Sequence, residues 1–431
     1  MEQIPKEGSF MAEAYRPKRR KKKKWSAKRW RFELTRIALL LAMVLVVAGL
    51  VRGCQALVTP HRGFPEGACF GQQLPNPQRA PLLVAKPEQQ RELTLVMVGD
   101  VLLHTPLQDS GKQPDGSLDY SHFFTHTAHL IAQADLALVN QEVILGGSEL
   151  GLSGYPAFNG AFEVGDALVE AGFDVVLHAT NHALDKGAKG LLNCLAFWEE
   201  QHPQVAALGI HDSAQDQDEL FLYQWQGYTI AILNYTYSTN GVPLPQGYMV
   251  DMLEERAVIA DLARANEVAD FVIVCPHWGT EYTHSPTSSQ KKWANLFLDY
   301  GVDLVIGTHP HVIQPMEWLT DEEGNRMLVY WSLGNYINFT SGSGDGVRQR
   351  AVGAMAQVTL GIEDRQVVIT DCGVTPLIAH MVEGTGNPTV YTLEDYTESL
   401  AKENAMKDKD PKFSLDYCEE ICQEVFGPYM D

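Results

Sequence analysis

From residue 92 onward, short apolar runs alternate with longer amphipathic stretches, and this alternation is what most constrains the fold. Runs of about 4–8 apolar residues suit strands, and segments of helical length between them suit an α/β sheet. The strand candidates are LTLVMV (93–98), DLALV (135–139), DVVLHA (174–179), DFVIVC (270–275) and VDLVIG (302–307). Helices are predicted at 120–133, 163–172, 186–200, 252–268 and 287–300. A second group of strands reads as antiparallel. LFLYQW and YTIAILNY (220–225, 228–235) form a hairpin across Gln226-Gly227, and 327–333, 353–361 and 366–372 make a β-rich end. Two sheets packed together with helices outside accommodate both groups, and no internal repeat at solenoid periods is present.

The residues that follow each strand carry the chemical signal. LTLVMV runs into Gly99-Asp100 with His104 beyond, DLALV into Asn140-Gln141-Glu142, and DVVLHA into Thr180-Asn181-His182 and then Asp185. DFVIVC leads to Pro276-His277-Trp278-Gly279 and Glu281, and VDLVIG to Thr308-His309-Pro310-His311. Taken singly, each has an ordinary explanation as a turn, a cap or a hydrogen-bonded histidine. All five of these strands ending in metal-ligand residue types do not. In an open α/β sheet the carboxyl ends of parallel strands lie along one edge, where ligands bind, so these distant residues are expected to converge. Carboxylate, amide oxygen and imidazole together suit one or two divalent ions, Mn, Fe, Zn or Mg, without choosing among them. Two such ions can clamp the attacking and leaving oxygens of a displacement at phosphorus. On an extended segment, His309 and His311 would reach neighbouring positions, with Pro310 stiffening the link. A metal-free site would use the same groups for acid/base work or binding.

Charge divides the chain in two. Residues 1–36 hold 13 Lys/Arg and 4 Asp/Glu, a net of +9, whereas the remaining residues hold 20 basic and 50 acidic side chains, a net of −30. Ile37 to Val51 is an uncharged apolar run between Arg36 and Arg52. With those arginines snorkelling, a helix from Phe32 to Gly53 would cover about 33 Å and span a bilayer. The positive-inside rule then places the basic leader in the cytoplasm and the rest outside, giving a single-pass protein of the cell membrane in contact with lipid through this helix. A cleaved signal and a lipidation signal at Cys54 are the competing readings. On the anchor reading, the run from Lys18 to Lys24 is a topology signal lying against anionic lipid rather than a nucleic-acid arm. The acidic body repels phosphate backbones, so no nucleic-acid partner is expected. Residues 54–91, rich in Pro, Gly and Gln, read as a tether to a domain at 92–380, and 381–431 as an acidic helical extension. Seven cysteines with no CxxC pair exclude a zinc ribbon or thioredoxin-type site. Cys418 and Cys422 would share a helical face, as a disulfide or as two free thiols.

The motifs GDVLLH (99–104), NQE (140–142), ATNHALDKG (179–187), HWGTEY (277–282), GTHPHVIQPMEW (307–318) and SLGNYI (332–337) resemble the bacterial capsule synthesis protein CapA family. The resemblance covers roughly 92–340 in order. It implies a metallophosphatase-like, calcineurin-like αββα sandwich, a metal site, and a role in making, exporting or anchoring an anionic polymer such as poly-γ-glutamate, alongside capsule-synthesis membrane proteins. The wider superfamily opens with Asp-x-His, whereas the histidine here lies four positions after Asp100, at His104. Its second motif supplies a bridging Asp, where this chain has Asn140 and Glu142.

The candidate metal ligands are therefore Asp100, Glu142, Asn181, His277, His309 and His311. The candidate catalytic groups are His182, His277, Asp185 and Glu281, and the candidate substrate-binding residues are Trp278, Tyr282 and Asn335. The stretch 340–345 (TSGSGD) reads as a mobile loop at the site edge. Two functions remain: a metal-dependent hydrolase or transferase of the cell envelope, acting on a phosphoester or a polymer end, and a non-catalytic polymer-binding component.

Overall fold

Each of the five apolar runs is a strand in the computed structural model, which describes residues 92–382 and 388–430. The basic leader, the apolar segment and the tether lie outside the described residues. Among the described residues no helix is long and apolar enough to cross a membrane.

The strands in chain order are β1 (Glu92–Leu102), β2 (Leu136–Asn140), β3 (Val175–Leu177), β4 (Ala206–Leu208), β5 (Phe221–Trp225), β6 (Tyr228–Thr236) and β7 (Phe271–His277). There follow β8 (Leu304–Ile306), β9 (Ile313–Thr320), β10 (Arg326–Leu333), β11 (Asn335–Asn338), β12 (Val352–Glu363), β13 (Gln366–His380) and β14 (Thr389–Thr392). One sheet has the order β14-β13-β12-β1-β2-β3-β4, with β11 also pairing β1, and the other has the order β5-β6-β7-β8-β10-β9. Strands β1 to β4 run parallel, as do β6, β7, β8 and β10. The five strands with informative ends are thus split, three in one sheet and two in the other. The expected single sheet edge is in fact a junction of two sheets.

Side-chain alternation assigns the faces of the second sheet. Ile230, Ile232, Ile273, Leu304, Leu328 and Tyr330 enter a large core shared with β1, β2 and β3 of the first sheet. Their neighbours Ala231, Leu233, Val272, Val274, Val305 and Val329 form a separate core with Val258, Leu262, Ala294 and Phe297. Those four lie on α3 (Glu255–Val268) and α4 (Ser288–Asp299), the third and fourth of the five longest helices. Helix α4 starts on a capping box in which Thr287 and Gln290 satisfy each other's end of the first turn. Helices α1 (Phe162–Ala171) and α2 (Gly187–Gln201) connect β2, β3 and β4 and bury Val164, Leu168, Leu191 and Cys194 in the large core.

Several expectations change. The helix predicted at 120–133 is a 3-10 turn at Ser121–Phe124 and a helix at Ala128–Gln133. Between them the buried Thr127 turns its hydroxyl inward to Tyr336 at 2.6 Å. The segment from 381 is not purely helical: β14 pairs antiparallel with β13 and buries Val390. The acidic face does lie on α5 (Leu415–Val425), whose Cys418 and Cys422 are both buried and both free thiols. The 340–345 stretch is fastened at both ends, by Thr340 to Arg350 and by Asp345 to Arg348 and Lys412.

Candidate metal centre

The Gly99-Asp100 pair shows why glycine precedes the first acidic residue. A Cβ at Gly99 would fall 1.9 Å from the Gly334 carbonyl oxygen, so only glycine lets β1 meet the turn before β11 this closely. The Asp100 N–H then donates to that carbonyl at 3.0 Å, and the Asp100 side chain enters the junction with no exposed surface.

Around Asp100 the other strand ends assemble. Asn140 Nδ2 donates to Asp100 Oδ1 at 2.8 Å, and His311 Nδ1 lies 3.0 Å from Asp100 Oδ2. Glu142, also fully buried, has Oε1 at 3.6 Å from His277 Nε2 and at 3.6 Å from His311 Nε2. Asn181 Oδ1 lies 3.0 Å from His277 Nε2, and Thr308 Oγ1 3.0 Å from His277 Nδ1. Two overlapping groups result, Glu142 with His277 and His309, and Asp100 with Glu142 and His311, each with its ligand atoms within 4.8 Å of one another. Glu142 belongs to both groups, whereas Asn140 meets the cluster through its hydrogen bond to Asp100.

The six candidate ligands are therefore brought together, although not by the route expected for His309 and His311. Their segment is not extended: His309 has φ +97° and His311 φ +57°. Such backbone is costly for non-glycine residues and is held here by its surroundings. His311 is gripped by Asn335, whose Oδ1 lies 3.1 Å from Nδ1 and whose Nδ2 donates to the His311 carbonyl at 3.0 Å.

Both Glu142 carboxylate oxygens, Asn140 Oδ1 and His309 Nδ1 are buried without a hydrogen-bond partner. Buried polar atoms are normally paired, and four orphaned lone-pair donors on one set of converging side chains fit a divalent cation. The electrostatics agree. Burial and the neighbouring Glu142 push the Asp100 carboxyl up. Burial also opposes ionisation of Glu142, but His311 and His277 outweigh it and hold that carboxyl below the usual range. Burial disfavours charge on His311, yet Glu142 and Asp100 lift its pKa to about 9. His309 is driven well below its ordinary value by burial and by the neighbouring imidazoles. The buried cluster thus favours the ionised form of Glu142 and the cationic form of His311, and disfavours the ionised form of Asp100.

The remaining predicted residues divide. His182 is buried beside the cluster, its Nδ1 2.7 Å from Asp185 Oδ2, which also accepts from the Phe158 N–H at 2.7 Å. Glu281 is exposed and outside the buried cluster. Trp278 is not a substrate residue: it is 1% exposed, stacks on Phe297 and Trp331, and donates Nε1 to the Trp331 carbonyl. Strand alternation turns it to the helix side of its sheet, away from His277. Asn335 is likewise enclosed, positioning His311 rather than facing a ligand. His104 joins no ligand group and packs edge-on against Phe158, with burial lowering its pKa to about 4. Tyr282 stays partly exposed at the rim.

Sequence reading missed Tyr237, whose ring lies 4.6 Å from that of His309, and Asn240, whose amide reaches both Asn181 and His182 at 3.4 Å. Both follow β6, which its sequence groups with the antiparallel strands although it also runs parallel to β7. Read as a parallel strand, its end is a sixth contributor.

Comparison with known proteins adds to this geometry. Residues 94–340 match the family described as bacterial capsule synthesis protein PGA_cap. The chain is 32% identical over 173 residues to the PGA biosynthesis protein CapA of Bacillus subtilis (strain 168), a match covering 39% of this chain and 44% of that protein. It is 25% identical over 354 residues to the capsule biosynthesis protein CapA of Bacillus anthracis, covering 77% of this chain and 79% of that one. Among solved structures, the calcineurin-like phosphoesterase YfkN from Bacillus subtilis aligns with TM-score 0.38 and 12% identity, over 76% of this chain and 99% of that chain. A hypothetical protein from Thermus thermophilus aligns with TM-score 0.40 and 19% identity, over 66% of this chain and 99% of that chain.

Proposed function

The chain belongs to the bacterial capsule synthesis protein PGA_cap family, and on that premise we propose that it is a metal-dependent hydrolase or transferase acting on an anionic polymer of the capsule, such as poly-γ-glutamate. The observation that carries this reading is Glu142, a fully buried carboxylate with neither oxygen hydrogen-bonded, shared by two groups of candidate ligands. Asp100, Glu142, Asn181, His277, His309 and His311 would hold one or two divalent ions. A bound ion supplies Lewis-acid polarisation of an ester, phosphoryl or amide oxygen and activation of water.

The protein's own groups do the rest. Asp185 fixes the His182 ring through Nδ1, leaving Nε2 to take or give a proton, the arrangement of a general acid or base with its orienting carboxylate. Asn335 and Asn140 keep His311 and Asp100 in place. Depth excludes bulk water from the ligand atoms, which strengthens each electrostatic contact. Two sheets with flanking helices are in keeping with a metallophosphatase-like architecture. The apolar segment 37–53 serves as a signal anchor that sets the domain outside the membrane, beside capsule-synthesis membrane proteins.

The test is metal-dependent turnover by the purified full chain on model phosphoesters and on a γ-linked glutamyl polymer. Activity should vanish with chelator, return with metal, and be lost in His277→Ala. If capsule output is unchanged in cells carrying His277→Ala, and no turnover is detected, the protein is a polymer-binding component instead.

A further inference from the structure

We propose that Arg350, which lies outside the 94–340 family match, is the residue that recognises an anionic group of the ligand at this centre. Its guanidinium carbon sits 3.6 Å from the centroid of the Tyr282 ring, which is itself 6.0 Å from the ring of His311. Tyr282 is fixed in turn, with φ +64° and its N–H donating to the Pro310 carbonyl at 2.8 Å, so the stack is tied to the loop that carries His309 and His311.

The backbone beneath Arg350 is coupled to the same loop. Asn335 Nδ2 donates at 3.0 Å both to the His311 carbonyl and to the Arg350 carbonyl. On the far side, Arg348 pairs with the nearly buried Asp410 at 2.9 Å and lies over the Tyr417 ring, and Asp410 also accepts the Gly346 N–H at 2.9 Å. The C-terminal extension is therefore a buttress for the segment that presents Arg350.

Among the described residues, the guanidinium of Arg350 makes one hydrogen bond, from Nη1 to Thr340 Oγ1 at 2.7 Å, and its buried Nε has no partner. A stacked, rigid fork with free N–H donors suits a carboxylate or phosphate oxygen pair. Glu281, next to Tyr282 in the chain, is exposed, so as a solvated carboxylate it competes weakly for Arg350. Of the five exposed large apolar side chains among the described residues, three are tyrosines around this mouth, Tyr155, Tyr237 and Tyr282. They give a ligand flat surfaces to lie on while Arg350 holds its charge. This extends the metal-site reading and relies on it only for where the reacting end of the ligand sits.

The test is calorimetric titration of the full chain with inorganic phosphate and, separately, with a short γ-linked glutamate oligomer, with metal content and melting temperature measured in parallel. Wild type should bind at least one probe, and Arg350→Gln should weaken that binding about 10- to 100-fold, as expected for loss of a charge-assisted pair, with metal content unchanged. Arg350→Lys should recover part of the loss, and Asp410→Asn should weaken binding less than Arg350→Gln does. The probe affected identifies the group as phosphate or carboxylate. Equal binding by wild type and Arg350→Gln, or no binding of either probe by wild type at millimolar concentration, overturns the proposal. If Arg350→Gln does not fold, Arg350→Lys decides, since unchanged affinity without the planar fork also overturns it. Arg350-dependent binding by a wild-type chain that takes up no metal would sink the metal reading and leave this one standing.

Discussion

His277 Nε2 stands 3.6 Å from Glu142 Oε1, and neither side chain has any exposed surface. A carboxylate and an imidazole this deep are stable when charge is balanced, whether by a proton shared within the cluster or by a cation held between them. Proton and metal therefore compete for the same place.

Metal uptake should release protons. The His311 pKa of about 9 means that this ring is cationic at neutral pH and must lose its proton to ligate, and the upward push on the Asp100 carboxyl from burial and Glu142 acts in the same direction. Affinity measured by metal titration should strengthen as pH rises from 6 to 8, by about tenfold per pH unit for each proton displaced. A pH-independent affinity would show that these groups are not ligands.

Asp185→Asn should leave the bound metal in place while lowering turnover about 100-fold or more, because the His182 ring loses its orienting carboxylate. A variant with wild-type rate would reduce Asp185 to a structural role at the Phe158 N–H.

Trp278 and Tyr282 are near neighbours in sequence with opposite fates. Trp278→Ala should cost about 3–5 kcal/mol of stability in denaturant unfolding, as for other buried aromatic truncations. Tyr282→Ala, at a rim position 37% exposed, should change stability by about 1 kcal/mol or less. Its effect should instead be on ligand affinity.

His211 gives a stability signature away from the centre. Burial opposes its charge, but hydrogen bonds to Asp216 at 3.1 Å and Asp251 at 2.8 Å outweigh this and raise its pKa to about 9. A raised folded-state value means the stabilisation is complete below the unfolded value, near 6.5, and is lost as pH climbs through about 9. Wild type should be more stable than His211→Gln by on the order of 1–2 kcal/mol at pH 6, allowing for the partial exposure of Asp216, and the gap should close by pH 10. A gap that stays constant with pH would rule out the ion pairs as its source.

The sequence showed the site more fully than the fold. Asp100, Glu142, Asn181, His277, His309 and His311 were legible because each follows an apolar run, and strand ends are local features. Their division between two sheets was not, since pairing is set by long-range contacts that periodicity does not report. Trp278 was misread for the same reason, as its direction depends on which face of β7 meets the helices. Short strands such as β4 and β11 carry too few residues for an alternating pattern to emerge. Arg350 gave no local signal at all, and its place depends on Asn335 and Asp410 across the fold.

Glu142 and the histidines around it are expected to hold a divalent ion. Elemental analysis of the purified full chain, after exposure to Mn, Fe, Zn and Mg and removal of excess, tests it most directly, alongside Glu142→Gln and His309→Ala variants checked for folding by their melting curves. One or two ions per wild-type chain are expected, with strong depletion in both variants. A folded wild-type chain with no stoichiometric metal, or variants that retain the wild-type content, would contradict it.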